Sequence, residues 1–257
     1  MKTDYTQVTE IPGNKGSKEN LRMLYTRYKW ASEFVKDKKV LEVGCGPGIG
    51  LGYLAKKAKR VIGSDCDANL VKIARNYYKD RIDILQTDAQ HLPFGDKTFD
   101  VIILFEAIYY LPYPDKFLDE CKRVLRKDGI VLICTVNKDW EGFNPSPFSV
   151  KYFSVPELYD LLNRNNFETE ILGNFPASNF SFIDKCKLFA KKTAVSLHLI
   201  PKTMKGKEKL KRIFYGQLLR LPNEIEDITI QTPSFEHVDE NLANYQYKVI
   251  YAVGRLK

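Results

Sequence analysis

Three short stretches carry the residue types and intervals that a nucleoside site needs. The run Val40-Leu-Glu-Val-Gly44-Cys-Gly46-Pro-Gly48 leads an apolar strand straight into a turn with glycines at 44, 46 and 48. Glycine lets a backbone turn sharply and approach a ligand with no Cβ in the way. The spacing is not the dinucleotide fingerprint G-x-G-x-x-G, which would need glycine where Ile49, Leu51 or Tyr53 stand. No Lys-Ser/Thr pair follows, so the turn is not a nucleoside-triphosphate loop either. Asp65 in VIGSD lies 21 residues past Gly44, where a carboxylate can accept hydrogen bonds from both ribose hydroxyls. Asp88 in QTDAQHLPF can accept from an adenine amino group, while the Ala89 amide serves a ring nitrogen. Together these strand ends describe an adenosine pocket without a diphosphate.

Such residues need a scaffold that aligns strand ends, and the hydropathy pattern supplies one. Strands are expected at 39–43, 60–63, 81–86, 99–105, 130–135, 167–172 and 245–253. Helices are expected at 51–58, 69–78, 114–125 (ended by Gly129) and 155–164. FDVIILF at 99–105 is the most apolar run and should lie centrally. Ser17 should cap a helix over 18–35; the polar, turn-rich residues before it read as a flexible or docking arm. Strand–helix alternation implies an α/β, Rossmann-like, doubly wound sheet, mainly parallel and seven-stranded, with an antiparallel last strand. Right-handed crossovers then gather the strand-to-helix loops on one edge, where ligands bind. We read residues 1–38 as an arm and covering helix and 39–257 as one domain. Residues 173–244 form a largely helical basic insert, with a helix expected at 205–221.

The order E-V-G-C-G-P-G, S-D, T-D-A, LPF…FDVIIL and RVLRKDGIVLI resembles the class I S-adenosylmethionine-dependent methyltransferases, within them the "methyltransferase type 11" branch. The resemblance is close over 40–135 and loose over 153–172. It implies S-adenosylmethionine as cofactor. It implies that Gly44, Gly46 and Gly48 pack under the methionine part, and that Glu42 orients the loop or the ammonium. Asp65 would bind ribose, Cys66 would pack on the adenine side, Asp88 and Ala89 would recognise adenine, and Phe105 would line the cofactor.

Methyl transfer from a sulfonium gains much from proximity, orientation and exclusion of water; a base is needed only when the nucleophile must lose a proton. The candidates at the end of the 99–105 strand are Glu106 and Tyr109 as catalytic groups, with Tyr110 as a pocket wall. Glu106 could equally cap the following turn. Asp139 is a second candidate base, and His237 could reach in from the insert. Tyr25, Arg27 and Tyr28 on the first helix would help close the site, as an N-terminal helix does in many related enzymes, with Arg27 a partner for a carboxylate.

The acceptor is constrained mainly by what is missing. Leu104-Phe-Glu106-Ala replaces the Asn/Asp-Pro-Pro-aromatic motif of nucleobase amino methyltransferases, and there is no Pro-Cys of the cytosine C5 type. Nucleic acid is therefore disfavoured. The chain carries a net charge of +8, yet residues 185–220 hold eleven Lys/Arg and one acid, so the remainder is near neutral. That segment reads as a solvated face, as a recognition surface for an anionic acceptor, or as a contact for an anionic membrane or RNA. The five scattered cysteines form no disulfide framework or zinc pattern. No metal site is expected, no apolar run reaches the ~18 residues of a membrane span, and the setting reads as cytoplasmic, with peripheral membrane contact. The leading hypothesis is a methyltransferase acting on an oxygen or nitrogen of a small-molecule, glycan-type or lipid-linked acceptor. The alternatives are an RNA methyltransferase and a non-catalytic adenosyl-ligand scaffold.

Overall fold

The structure, a computed structural model, describes residues 4–177, 218–226 and 231–257. The elements run β1 (Lys15–Ser17), α1 (Lys18–Ala31), β2 (Lys39–Val43), α2 (Leu51–Ala55), β3 (Arg60–Asp65), α3 (Ala68–Tyr78), β4 (Asp83–Gln86) and β5 (Phe99–Phe105). They continue with α4 (Pro114–Val124), β6 (Leu125–Val136), α5 (Val155–Arg164), β7 (Phe167–Pro176), β8 (Leu218–Arg220), β9 (Glu236–His237) and β10 (Tyr247–Leu256).

The main sheet has the order β4-β3-β2-β5-β6-β10-β7-β9. Neighbours from β4 to β6 are parallel, whereas β10 is antiparallel to both β6 and β7. From β2 the chain winds outward through β3 and β4, then returns to β5 and winds the other way. The switch point therefore lies between the carboxyl ends of β2 and β5, where open α/β sheets bind ligands.

The period-2 pattern of β5 accounts for its central place. Ile102 and Leu104 point into one apolar layer with Phe117, Leu118 and Leu158. Val101, Ile103 and Phe105 point into the other, with Leu24, Tyr28, Leu51 and Tyr78. All five are buried, as expected for a strand covered on both faces. Ser17 caps α1 as anticipated, accepting from Asn20 N at 3.1 Å.

Three details differ from the sequence reading, and the arm, read there as flexible or docking, takes the second form. The sheet has an eighth strand, because Glu236–His237 adds to the outer edge of β7; two residues are too short to show a period. β6 starts at Leu125 and not at residue 130, directly after α4, because Leu125 is already extended and pairs with Phe99. The positive-φ residue of the following turn is Asp128 (φ 62°). The helix expected at 205–221 falls outside the described residues up to 217, and Leu218–Arg220 at its end is a strand paired with β1. The N-terminal arm is docked: β1 is held by β8, and a 3-10 turn at Tyr5–Gln7 lies against α3.

Candidate functional site

A cleft of about 1960 Å³ opens at the switch point. Its floor is the turn after β2. Gly44 (φ 67°) and Gly46 (φ 56°) adopt the left-handed conformation that costs an L side chain dearly. A Cβ on Gly44 would stand 2.9 Å from that of Ala107, and one on Gly46 would stand 3.1 Å from Thr9 of the arm. Gly48 faces away from the cleft, against Tyr78, Leu51 and Ala74 of the neighbouring helices, and Tyr78 Oη donates to its carbonyl at 2.7 Å.

The Asp65 carboxylate, at the end of β3, locks this turn. It accepts Gly46 N at 2.8 Å on Oδ2 and Asp67 N at 2.9 Å on Oδ1. Burial raises its pKa against the pull of these backbone donors. A carboxylate offers about four acceptor positions, so Asp65, which lines the cleft, keeps capacity for a ligand hydroxyl. Cys66 lines the same wall; burial, then Asp65 and Asp67, push its thiol up to about 12, so it stays a neutral thiol. Asp88 and Ala89 stand beyond β4 and also line the cleft. Burial works against the Asp88 charge, but hydrogen bonds from Gln90 and His91 prevail and hold its pKa below the usual range.

Behind the glycine turn lies a buried polar group. Tyr28 Oη donates to Glu42 Oε1 at 2.5 Å, while Glu42 Oε2 is buried with no partner. Desolvation lifts the Glu42 carboxyl to about 7, opposed by Tyr28 and Arg27. Glu42 is not on the cleft wall, whereas Tyr28 and Arg27 are. Arg27 pairs with Glu10 of the arm at 2.6 Å and keeps a buried Nε without a partner. A half-used guanidinium on the cleft wall beside a glycine turn fits the carboxylate of an amino-acid moiety, while Glu42 stands behind the turn. With Asp65 and Asp88 toward a nucleoside, the residues present fit S-adenosylmethionine.

At the other end, Glu106 follows β5 with φ 51°, a strained conformation for a residue with a side chain. Burial raises its pKa, Arg27 lowers it and Glu10 raises it again. Phe105, Tyr109 and Tyr110 line the cleft with it. The arm contributes what the sequence reading missed: Tyr5, Thr9 and Glu10 all line the cleft. Tyr5 N donates to Asp67 Oδ2 at 2.8 Å, and its ring meets Tyr110 edge-on at 5.1 Å. A lone tyrosine in a polar, turn-rich run carries no periodic signal that would have flagged it.

Besides Glu42 and Gly48, three candidates lie off the cleft wall. Tyr25 is buried toward Glu226. Asp139 sits behind Trp140, with Oδ2 buried and its N donating to Asn137. His237 is exposed on β9, 3.5 Å from Glu170. Among the described residues no group of three or more His, Cys, Asp or Glu could hold a metal, and no helix is long and apolar enough to cross a membrane.

Comparison with known proteins agrees with this geometry. The methyltransferase-domain family profile matches residues 41–133. A Mycolicibacterium smegmatis protein named a probable S-adenosylmethionine-dependent methyltransferase is 36% identical over 154 residues, covering 57% of this chain and 59% of its own. A fatty-acid O-methyltransferase from the same organism is 40% identical over 101 residues, 38% of this chain and 37% of its own. The chain thus spans less than two thirds of either relative. A crystal structure of a SAM-dependent methyltransferase from Thermotoga maritima superposes with a TM-score of 0.58 at 16% identity, covering 91% of this chain and 89% of that one; it shares the fold. The stretch that carries the glycine turn, Asp65 and Asp88 is thus the part of the chain that matches the methyltransferase-domain family.

Proposed function

We propose that the protein transfers a methyl group from S-adenosylmethionine to an oxygen or nitrogen of a small-molecule or lipid-type acceptor. The observation that carries this reading is the single cleft in which the glycine turn and Asp65 face Glu106 across the switch point. When bound, the cofactor supplies an activated methyl group on a sulfonium. The chain's residues bind, orient and shield. Gly44 and Gly46 let the backbone approach, Asp65 holds a ribose, Asp88 and Ala89 read adenine, and Tyr28 and Arg27 border the methionine end. The arm and α1 roof the cleft and exclude water, which strengthens every polar contact inside. Glu106 accepts the acceptor's proton or holds its hydroxyl. Its burial, its place on the cleft wall and its position at the end of β5 support the role.

A lipid-type acceptor gains support from the fatty-acid O-methyltransferase among the relatives. The RNA and anionic-glycan readings rest on residues 185–220, most of which lie outside the described residues. The test is turnover: protein, S-adenosylmethionine and a panel of hydroxylated and aminated acceptors, with S-adenosylhomocysteine and the methylated product measured by mass. Cofactor binding without product from any acceptor would favour the scaffold alternative.

A further inference from the structure

The acceptor end of the cleft has a chemistry of its own. At about 1960 Å³ the cleft exceeds the ~300–1,000 Å³ of an ordinary small-molecule site, so a second sizeable ligand fits beside the cofactor. One wall is built of tyrosine rings. Tyr5 meets Tyr110 at 5.1 Å, and Tyr110 meets Tyr109 at 4.5 Å, both edge-on. A second layer holds them: Tyr152 stacks on Tyr109 at 4.4 Å and Phe148 stands edge-on to Tyr5 at 6.2 Å. The rings come from three separate segments, the arm, the turn after β5 and the loop after β6. Such interlocked packing fixes flat, apolar faces at low entropic cost. The cleft lining also takes in the apolar Phe175, Pro176, Pro233 and Val249, with Gln231, Thr232 and Lys248 among them.

One carboxylate meets this wall. Glu106 lines the cleft beside Tyr109 and Tyr110, and its carboxylate has acceptor positions for a phenolic hydroxyl laid against those rings. Magnitudes separate phenols from aliphatic alcohols. Proton transfer is efficient when donor and acceptor pKa values lie close. A phenol titrates near ~10, whereas an aliphatic hydroxyl resembles water at about 16. Burial moves Glu106 upward, toward the phenol.

Building on the methyltransferase reading, we propose that this end of the cleft binds a phenol bearing an apolar substituent, its ring against Tyr5, Tyr109 and Tyr110 and its hydroxyl on Glu106. In the reacting complex the phenolic O–H bond breaks and its proton passes to Glu106. An O–CH3 bond forms as the S–CH3 bond breaks, and the sulfur keeps that electron pair. The proton then leaves Glu106 for solvent.

The experiment is titration calorimetry on protein saturated with S-adenosylhomocysteine, using 4-hexylphenol, phenol and 4-hexylcyclohexanol as probes. We expect 4-hexylphenol to bind at least tenfold tighter than either of the others. Tyr5→Ala should cost at least tenfold in that affinity, and Tyr5→Phe less than threefold, with S-adenosylhomocysteine affinity within threefold in both. Equal binding of the saturated alcohol, no binding of the phenols, or indifference to Tyr5→Ala overturns the proposal and leaves the methyltransferase reading intact. Failure of S-adenosylhomocysteine itself to bind overturns both.

Discussion

At the nucleoside end of the cleft, successive βα turns between Val40 and Ala89 place Gly44, Gly46, Asp65 and Asp88 at the ends of their own strands. At the acceptor end, Tyr5, Glu106 and Tyr152 arrive from three separate segments and meet only in the folded chain. The first end is held by backbone donors: Gly46 N and Asp67 N on Asp65. The second is held by side chains, ring on ring. A site made of strand ends inherits its geometry from the sheet. A site made of long-range side-chain contacts is specified by packing, so it can vary between relatives without disturbing the scaffold.

The largest expected effect breaks the acceptor end alone. Glu106→Gln should lower kcat by about 10²–10⁴-fold, the usual contribution of a positioned acid or base, with S-adenosylhomocysteine affinity changed less than threefold. Equal losses in both would assign Glu106 to the scaffold.

The next effect sharpens the cofactor end through pH. The folded-state pKa of Glu42 is raised from 4.5 to about 7, so the folded protein binds more protons than the unfolded chain between these values. Stability should therefore fall as pH rises through that window and level off above it. Glu42→Gln should flatten this slope, shifting relative stability toward the variant by up to about 3 kcal/mol between pH 4 and pH 8, at about 1.4 kcal/mol per pKa unit. Thermal or urea unfolding at the two pH values measures it; identical slopes in both proteins would contradict the buried acid.

Asp65→Ala comes third. It should weaken cofactor binding by about 1–3 kcal/mol, read by calorimetry, and leave acceptor binding to the loaded protein unchanged. The smallest effect marks the background. The Arg60–Asp83 pair joins β3 and β4 at 2.7 Å with both side chains more than half exposed, so Arg60→Ala should shift stability by less than about 1 kcal/mol and affect neither end of the cleft.

The same contrast decides what could be read in advance. The glycine turn, Asp65 and Asp88 were legible because a strand's period of two and a turn's need for glycine are local properties. The parallel core of the sheet was legible for the same reason, since FDVIILF can only be a strand buried on both faces. The start of β6 was placed five residues late because RKDG reads locally as a turn, and the Leu125–Phe99 pairing that overrides it is tertiary. The docking of the arm was open because it depends on β8, which lies some two hundred residues downstream of β1. Tyr5 and Glu10 were invisible, since nothing in their neighbours' types announces a partner on α1 or beyond β5. Arg27 was anticipated as a carboxylate's partner, but the sequence held no means of pointing to Glu10.

If the glycine turn, Asp65 and Asp88 form an adenosyl site without a diphosphate cradle, the protein binds an adenosyl sulfonium or thioether and neither a dinucleotide nor a nucleoside triphosphate. Isothermal titration with S-adenosylmethionine and S-adenosylhomocysteine, beside NAD and ATP, tests it most directly. Saturable binding of the first two, none of the last two, and a loss on Asp65→Ala is the predicted result. Binding of NAD or ATP in their place, or of none of the four, would contradict it.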